Sequence, residues 1–273
     1  MDLFFNSYSV DLLIGLILIF FGSAFISGLT GFGFGLIGAF ALFLLPPKEA
    51  IPMLMMMSVF IQTLNIASLK ENIHPLKKWW SIGPAPYILG GLIGVPIGLR
   101  LLLKTNPLAL DEWIGLLLMC YSIVFFVWKK QRPLAFYSTP LKVVFGFLGG
   151  IFGGFTAVPS FPILVFGKIS GWNKGFQRSI IQPFIWILQV VSLIEFFISG
   201  NSLHIEFFFL LLILIVPVLI GNRLGFHYFK MIKEAKFQKV VLLILFLSGL
   251  SLIIKGRSFL LDFFHQHHLN LFP

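Results

Sequence analysis

Charge is the scarcest thing in this chain. Only 11% of its 273 residues are Asp, Glu, Lys or Arg and 58% are hydrophobic, whereas a soluble domain is about a quarter charged. With a mean hydropathy of +0.98, water is excluded as the main solvent. Cysteine is nearly absent too: Cys120 alone rules out an intramolecular disulfide and a cysteine metal cluster, and its apolar surroundings predict a packing role. Histidine is placed where it can do little. His74 and His204 fall in loops, His227 near a helix end, and His265, His267 and His268 in the tail, where they make a feeble metal signal. No nucleophile–base pair, paired aspartates or metal set spans the apolar segments, which argues against an intramembrane enzyme. Neither glycine-rich stretch is followed by Lys-Ser or Lys-Thr, and no βαβ unit with an acidic partner is present, so nucleotide binding has no support.

What the chain has in abundance is apolar runs. Bilayer hydrocarbon about 30 Å thick needs roughly 20 apolar residues per spanning helix. Ten such segments are legible, at 11–27, 32–45, 50–69, 79–103 and 111–128, then 141–153, 158–166, 176–199, 205–229 and 237–254. The first eleven residues hold two aspartates and no Lys or Arg, so the basic leader of a cleaved signal is missing and the first segment is expected to persist. The net charge of +10 sits mostly in short connections, at Lys77, Lys78, Lys129, Lys130, Arg132, Lys230, Lys233 and Lys236. That is the positive-inside pattern, and no nucleic-acid partner is expected.

The halves echo each other. Gly28-Leu-Thr-Gly31 matches Gly150-Ile-Phe-Gly153, and Val95-Pro96-Ile-Gly98-Leu-Arg100 matches Val216-Pro217-Val-Leu-Ile-Gly221-Asn-Arg223. Both pairs lie roughly 120 residues apart, the signature of an internal duplication. Placing the basic loops in the cytoplasm makes the repeats inverted, with the N-terminus and 200–205 outside. Within each half the first two segments are short and glycine-broken, either two tilted spans or a re-entrant hairpin, giving eight to ten spans. Backbone broken at membrane depth must face protein or a water-filled cavity.

GLTGFGFGLIGAF, GFLGGIFGGFTAVPSFPI and the paired Gly-x-Arg ends of the fourth and ninth segments resemble the TauE/SafE sulfite exporter family, over about 11–254. The resemblance implies a permease of two homologous halves that moves sulfite, organosulfonates or related small anions across a bacterial cytoplasmic membrane. One departure stands out. The second motif carries Thr156-Ala157-Val158-Pro159 where the first has Phe34-Gly35-Leu36 and no proline, which predicts half-sites of unequal chemistry.

Candidate binding residues come from three features. The glycine breaks, at Gly28, Thr30, Gly31 and Gly33 and at Gly153, Gly154 and Thr156, could aim bare helix N–H groups and two hydroxyls at an anion. Close helix packing through small residues is the competing reading. On the eighth segment Arg178, Gln182, Gln189 and Ser192 share one helix face. Arg178 could hold an oxyanion, or snorkel to the interface as a topology anchor. Ser58, Gln62 and Asn65 make the corresponding face of the third segment, for an anion or for interhelical bonding, with Met53, Met55, Met56 and Met57 as core filling beside them. Glu195, Arg100 and Arg223 are expected at the interface.

The expected architecture is an all-α, multi-pass membrane protein. It comprises a first transmembrane repeat (1–130), a cytoplasmic hinge (131–140), a second repeat (141–256) and a tail (257–273). The expected function is secondary transport of a small sulfur-containing anion around a midplane site, with a passive anion channel as the alternative. The partners are the anion, a coupling proton or cation, and membrane lipid, with no cofactor.

Overall fold

A computed structural model describes residues 8–68, 78–104, 107–127, 138–172, 174–228, 239, 242–243 and 245–254. The lysines of the hinge and of the 229–238 connection, Lys77, His74 and the histidine tail lie outside them. The described residues form helices α1 (Val10–Thr30), α2 (Phe34–Gly38) running into a 3-10 turn (Ala39–Phe43), α3 (Pro47–Ser68), α4 (Ala85–Lys104) and α5 (Pro107–Val127). The second half supplies α6 (Thr139–Thr156), α7 (Phe161–Ile169), α8 (Lys174–Ile198), α9 (Ile205–Tyr228) and α10 (Leu245–Ile254). Among the described residues, α1, α3, α4, α6, α8 and α9 are six helices long and apolar enough to cross a membrane. Their outward faces carry what lipid favours: Val10, Ile14 and Leu18 on α1, and Leu212, Val216 and Ile220 on α9, are all exposed at a spacing of about one helical turn.

Helix pairing crosses between the halves. The most extensive contacts join α4 to α6 and α1 to α9, followed by α3 to α8. The first helix of each half thus lies against the fourth of the other, and the two third helices share the centre. Glycine makes the closest of these seams. A methyl on Gly90, Gly94 or Gly98 of α4 would strike the carbonyls of Val143, Phe147 and Ile151, and one on Gly146 or Gly150 of α6 would strike those of Tyr87 and Gly91. Backbones that approach this closely leave no room for a Cβ. The partner numbers rise together along both helices, so α4 and α6 are parallel. In the other pair Gly221 meets Phe21, Gly225 meets Phe25, and Gly28 meets Asn222 and Phe226, so α1 and α9 are parallel as well.

Two groups of contacts mark the ends of the bundle. Burial, then the carboxylates of Glu49 and Glu206, push the Tyr8 phenol up, so the starts of α1, α3 and α9 share one face. At the opposite face the Lys142 ammonium donates to the Ser81 carbonyl at 3.0 Å, tying the start of α6 to the approach to α4. Arg100 and Arg223 are exposed, and Glu195 is half-buried within electrostatic reach of Arg100. Cys120 is exposed on α5 and is not a core residue, contrary to the packing role its apolar surroundings suggest. An outward thiol costs little where the outer medium is hydrocarbon.

Candidate functional site

The first helix break falls at Gly31. α1 ends there in a left-handed cap, φ 88°, with the Gly31 N–H donating to Ser27 O. Glycine takes this conformation without the Cβ clash that penalises other residues. Thr30 then closes the turn on itself: its hydroxyl donates to Ile26 O at 2.9 Å and accepts from the N–H of Phe32 at 3.3 Å and of Gly33 at 3.1 Å. The second break is not at Gly150–Gly153, where the glycine pattern suggests it. α6 runs through those residues unbroken to Thr156 and is capped by Ala157, a left-handed alanine with φ 59°. Gly150 and Gly154 face α4 and serve helix packing, and Gly28 does the same against α9. Gly153 packs on Pro159, and Thr156 spends its hydroxyl on Phe152 O at 2.8 Å. The true counterpart of Gly31 is therefore Ala157.

The two breaks meet in the interior. A methyl on Gly35, in the first turn of α2, would lie 2.7 Å from the Ala157 carbonyl. Around this junction α3 and α8 present the polar faces read from their spacing. Ser58, Gln62, Asn65, Arg178, Gln182, Gln189 and Ser192 are all buried, and Trp186 Nε1 donating to Thr63 Oγ1 at 2.9 Å ties the two helices together. Arg178 does not snorkel. It is 6% exposed, and its guanidinium donates to the carbonyls of Leu29 at 2.9 Å, Thr30 at 3.3 Å and Gly28 at 3.4 Å. Those are the C-terminal carbonyls that α1 cannot satisfy internally, and a cation there also opposes the negative end of the helix dipole. Gln182 Nε2 donates to Gly31 O at 3.2 Å and Gln62 Nε2 to the same oxygen at 3.5 Å, while Gln189 Nε2 donates to Ala157 O at 2.8 Å.

Side chains add donors of their own to this junction. They are directed onto the carbonyls at the ends of α1 and α6, and the side-chain atoms left buried with no hydrogen-bond partner include the amide oxygens Oε1 of Gln62, Gln182 and Gln189. Asn65 Nδ2 and the hydroxyls of Ser27 and Ser192 are also unpartnered. Unsatisfied buried polar atoms are rare in native folds and point to a guest, whether water, ion or solute. Along α8, Gln182 and Gln189 stand about 10 Å apart in depth, so the guest's surroundings extend over about two turns. No group of three or more His, Cys, Asp or Glu among the described residues could hold a metal.

Buried amides and one buried arginine, gathered where two helices stop inside an apolar bundle, are expensive in hydrocarbon and fit a solute path. Over residues 16–252 the chain matches the family described as sulfite exporter TauE/SafE. It belongs to that family. No curated protein and no solved structure matches the chain. The TauE/SafE match takes in both breaks and every buried polar residue of α3 and α8, and it makes the protein a multi-pass membrane protein of a transporter family.

Proposed function

We propose that this TauE/SafE member is a secondary transporter for a small sulfur-containing anion such as sulfite or an organosulfonate, working in a bacterial cytoplasmic membrane by alternating access around the meeting point of the Gly31 and Ala157 breaks. The single observation that carries this reading is the buried set of Arg178, Gln62, Gln182 and Gln189 at the meeting point of the two interrupted helices. Among the described residues Arg178 is the cation buried there; amide groups that exchange carbonyl partners for solute contacts supply the rest of the coordination. The unpartnered amide oxygens favour a guest that brings a hydrogen, such as a protonated oxyanion or an anion accompanied by a proton or cation.

Inverted repeats fit the helix directions. With the first and fourth helices of each half running oppositely, one half upside down relative to the other gives α1 parallel to α9 and α6 parallel to α4, and this pairing supports the inverted reading. Inverted halves around a shared midplane site are the usual frame for alternating access.

Flux of sulfite, sulfate and methanesulfonate into proteoliposomes holding the purified protein tests the reading. Saturable flux of at least one anion, without single-channel current and reduced more than about tenfold by Arg178→Met, is the expected result. Affinity for cations with none for these anions would reject it, and single-channel anion current would replace the carrier by a channel.

A further inference from the structure

A second polar feature lies apart from the junction, at the face where α4 and α6 begin. A cleft of roughly 360 Å³ opens there, lined by Ser81, Tyr87, Lys142, Trp172, Phe176 and Ile180 among others. Its volume is at the lower end of the range for small-molecule sites, about 300–1,000 Å³, and exceeds what an inorganic oxyanion fills. Lys142 is 7% exposed although it sits in the first turn of α6. Its ammonium spends one of three hydrogens on Ser81 O at 3.0 Å, and no carboxylate of the described residues acts on it. A partly enclosed ammonium with no carboxylate of the described residues beside it gains from an anionic partner.

The opposite wall is aromatic and rigid. Trp172 stands edge to face with Tyr87, Phe166 and Phe176, at centroid distances of 6.0, 5.7 and 5.1 Å. Gly167 lies against its six-membered ring, where any side chain would collide. The indole Nε1 is nevertheless buried with no hydrogen-bond partner, although buried Trp N–H groups normally find one. One wall of the cleft thus holds the Lys142 ammonium, on which no carboxylate of the described residues acts, and the opposite wall is built of rings.

We propose that this cleft is a binding site for an oxyanion group joined to an apolar body, the charge resting on Lys142 and the apolar part against Trp172 and Phe176. Either a soluble organosulfonate or the phosphate of a membrane lipid carries that chemistry. The proposal stands apart from the transport reading: flux without binding in the cleft would overturn only the cleft, and binding without flux only the transporter.

Calorimetric titration of benzenesulfonate and methanesulfonate into the full-length protein, in an uncharged detergent, is the test. Wild type should bind benzenesulfonate more tightly than methanesulfonate. Lys142→Met should weaken binding at least about tenfold, Lys142→Arg should restore most of it, and Trp172→Phe should weaken it about threefold. Size-exclusion profiles and melting curves identify any variant that fails to fold, and Trp172→Phe keeps the test open if Lys142→Met does. Native mass spectrometry with phosphatidylglycerol and phosphatidylcholine separates the sources: a retained phosphatidylglycerol that Lys142→Met releases assigns the same site to lipid. Wild type binding neither anion nor phosphatidylglycerol, undiminished binding in Lys142→Met, or loss of binding in Gln189→Leu as well, would overturn the proposal.

Discussion

The two helix breaks are built on one plan with unequal means. Each ends in a left-handed residue whose carbonyl accepts from a glutamine of its own half: Gln62 lies 31 residues beyond Gly31, and Gln189 lies 32 beyond Ala157. The first break receives two further donors from the other half, Arg178 and Gln182. An offset of 127 residues, the one relating Gln62 to Gln189, pairs Arg178 with Ile51 and Gln182 with Met55, both fully buried and apolar. The two breaks share the geometry of a helix capped by a left-handed residue, while the buried charge stands at only one of them among the described residues. A carrier of this design would hold its anion off-centre, nearer the Gly31 break.

Removing the arginine should have the largest effect of any single change. Arg178→Met strips donors from the carbonyls of Gly28, Leu29 and Thr30 in a buried place, and leaving buried partners of a charged group unpaired costs about 3 kcal/mol or more. Chemical denaturation in detergent should show that loss alongside the flux defect. Ile51→Met, at the related position of the other half, should change stability by less than about 1.5 kcal/mol and flux by less than twofold. Equal losses at both positions would erase the proposed asymmetry.

Gly31→Ala comes next. The new methyl would sit 2.7 Å from Arg178 Nε and 3.0 Å from Gln182 Nε2 while occupying a left-handed φ of 88°. Backbone strain of roughly 1–2 kcal/mol adds to displacement of two donors, so a total near 3 kcal/mol and a lower melting temperature are expected. The same residue type is accommodated in the native chain at Ala157, whose φ is 59°.

Glutamine truncation compares the breaks directly. Gln189→Leu removes the donor seen on Ala157 O and should cost about 2 kcal/mol. Gln62→Leu leaves Gly31 O with Gln182, and the bond lost is the long one at 3.5 Å, so a cost under about 1 kcal/mol is expected. Unfolding midpoints in the reverse order would mean that the second break has a donor other than Gln189.

Much of this arrangement was legible in the residues. The apolar segments and the inward faces of α3 and α8 follow from hydropathy and helical spacing, because lipid penalises an outward-facing Gln or Arg. The second break was misplaced because glycine carries two meanings. At Gly31 it permits a left-handed turn, whereas at Gly150 and Gly154 it lets α4 and α6 touch, and the string of letters is alike in both. Ala157 has no signal of its own, since alanine is the best helix former and gives no hint of a cap. Donor direction was hidden as well. An amide offers both a donor and an acceptor, and only the surrounding carbonyls decide which end faces the solute.

The smallest expected effect is at Ala157, and it tests whether the second break stores strain. Ala157→Gly relieves a left-handed alanine, worth roughly 1–2 kcal/mol. Against that stand the lost burial of one methyl, about 0.8 kcal/mol, and the added freedom of glycine in the unfolded chain, about 0.5–1 kcal/mol. Because Ala157 is 2% exposed, the burial loss applies nearly in full. The contributions nearly cancel, so a melting temperature close to wild type is expected, with Gln189 still directed onto the residue-157 carbonyl. Clear stabilisation would mean that strain outweighs packing at this turn. Clear destabilisation would mean that the methyl holds the second break shut against Gly35, making the two breaks differ in mechanics as well as in charge.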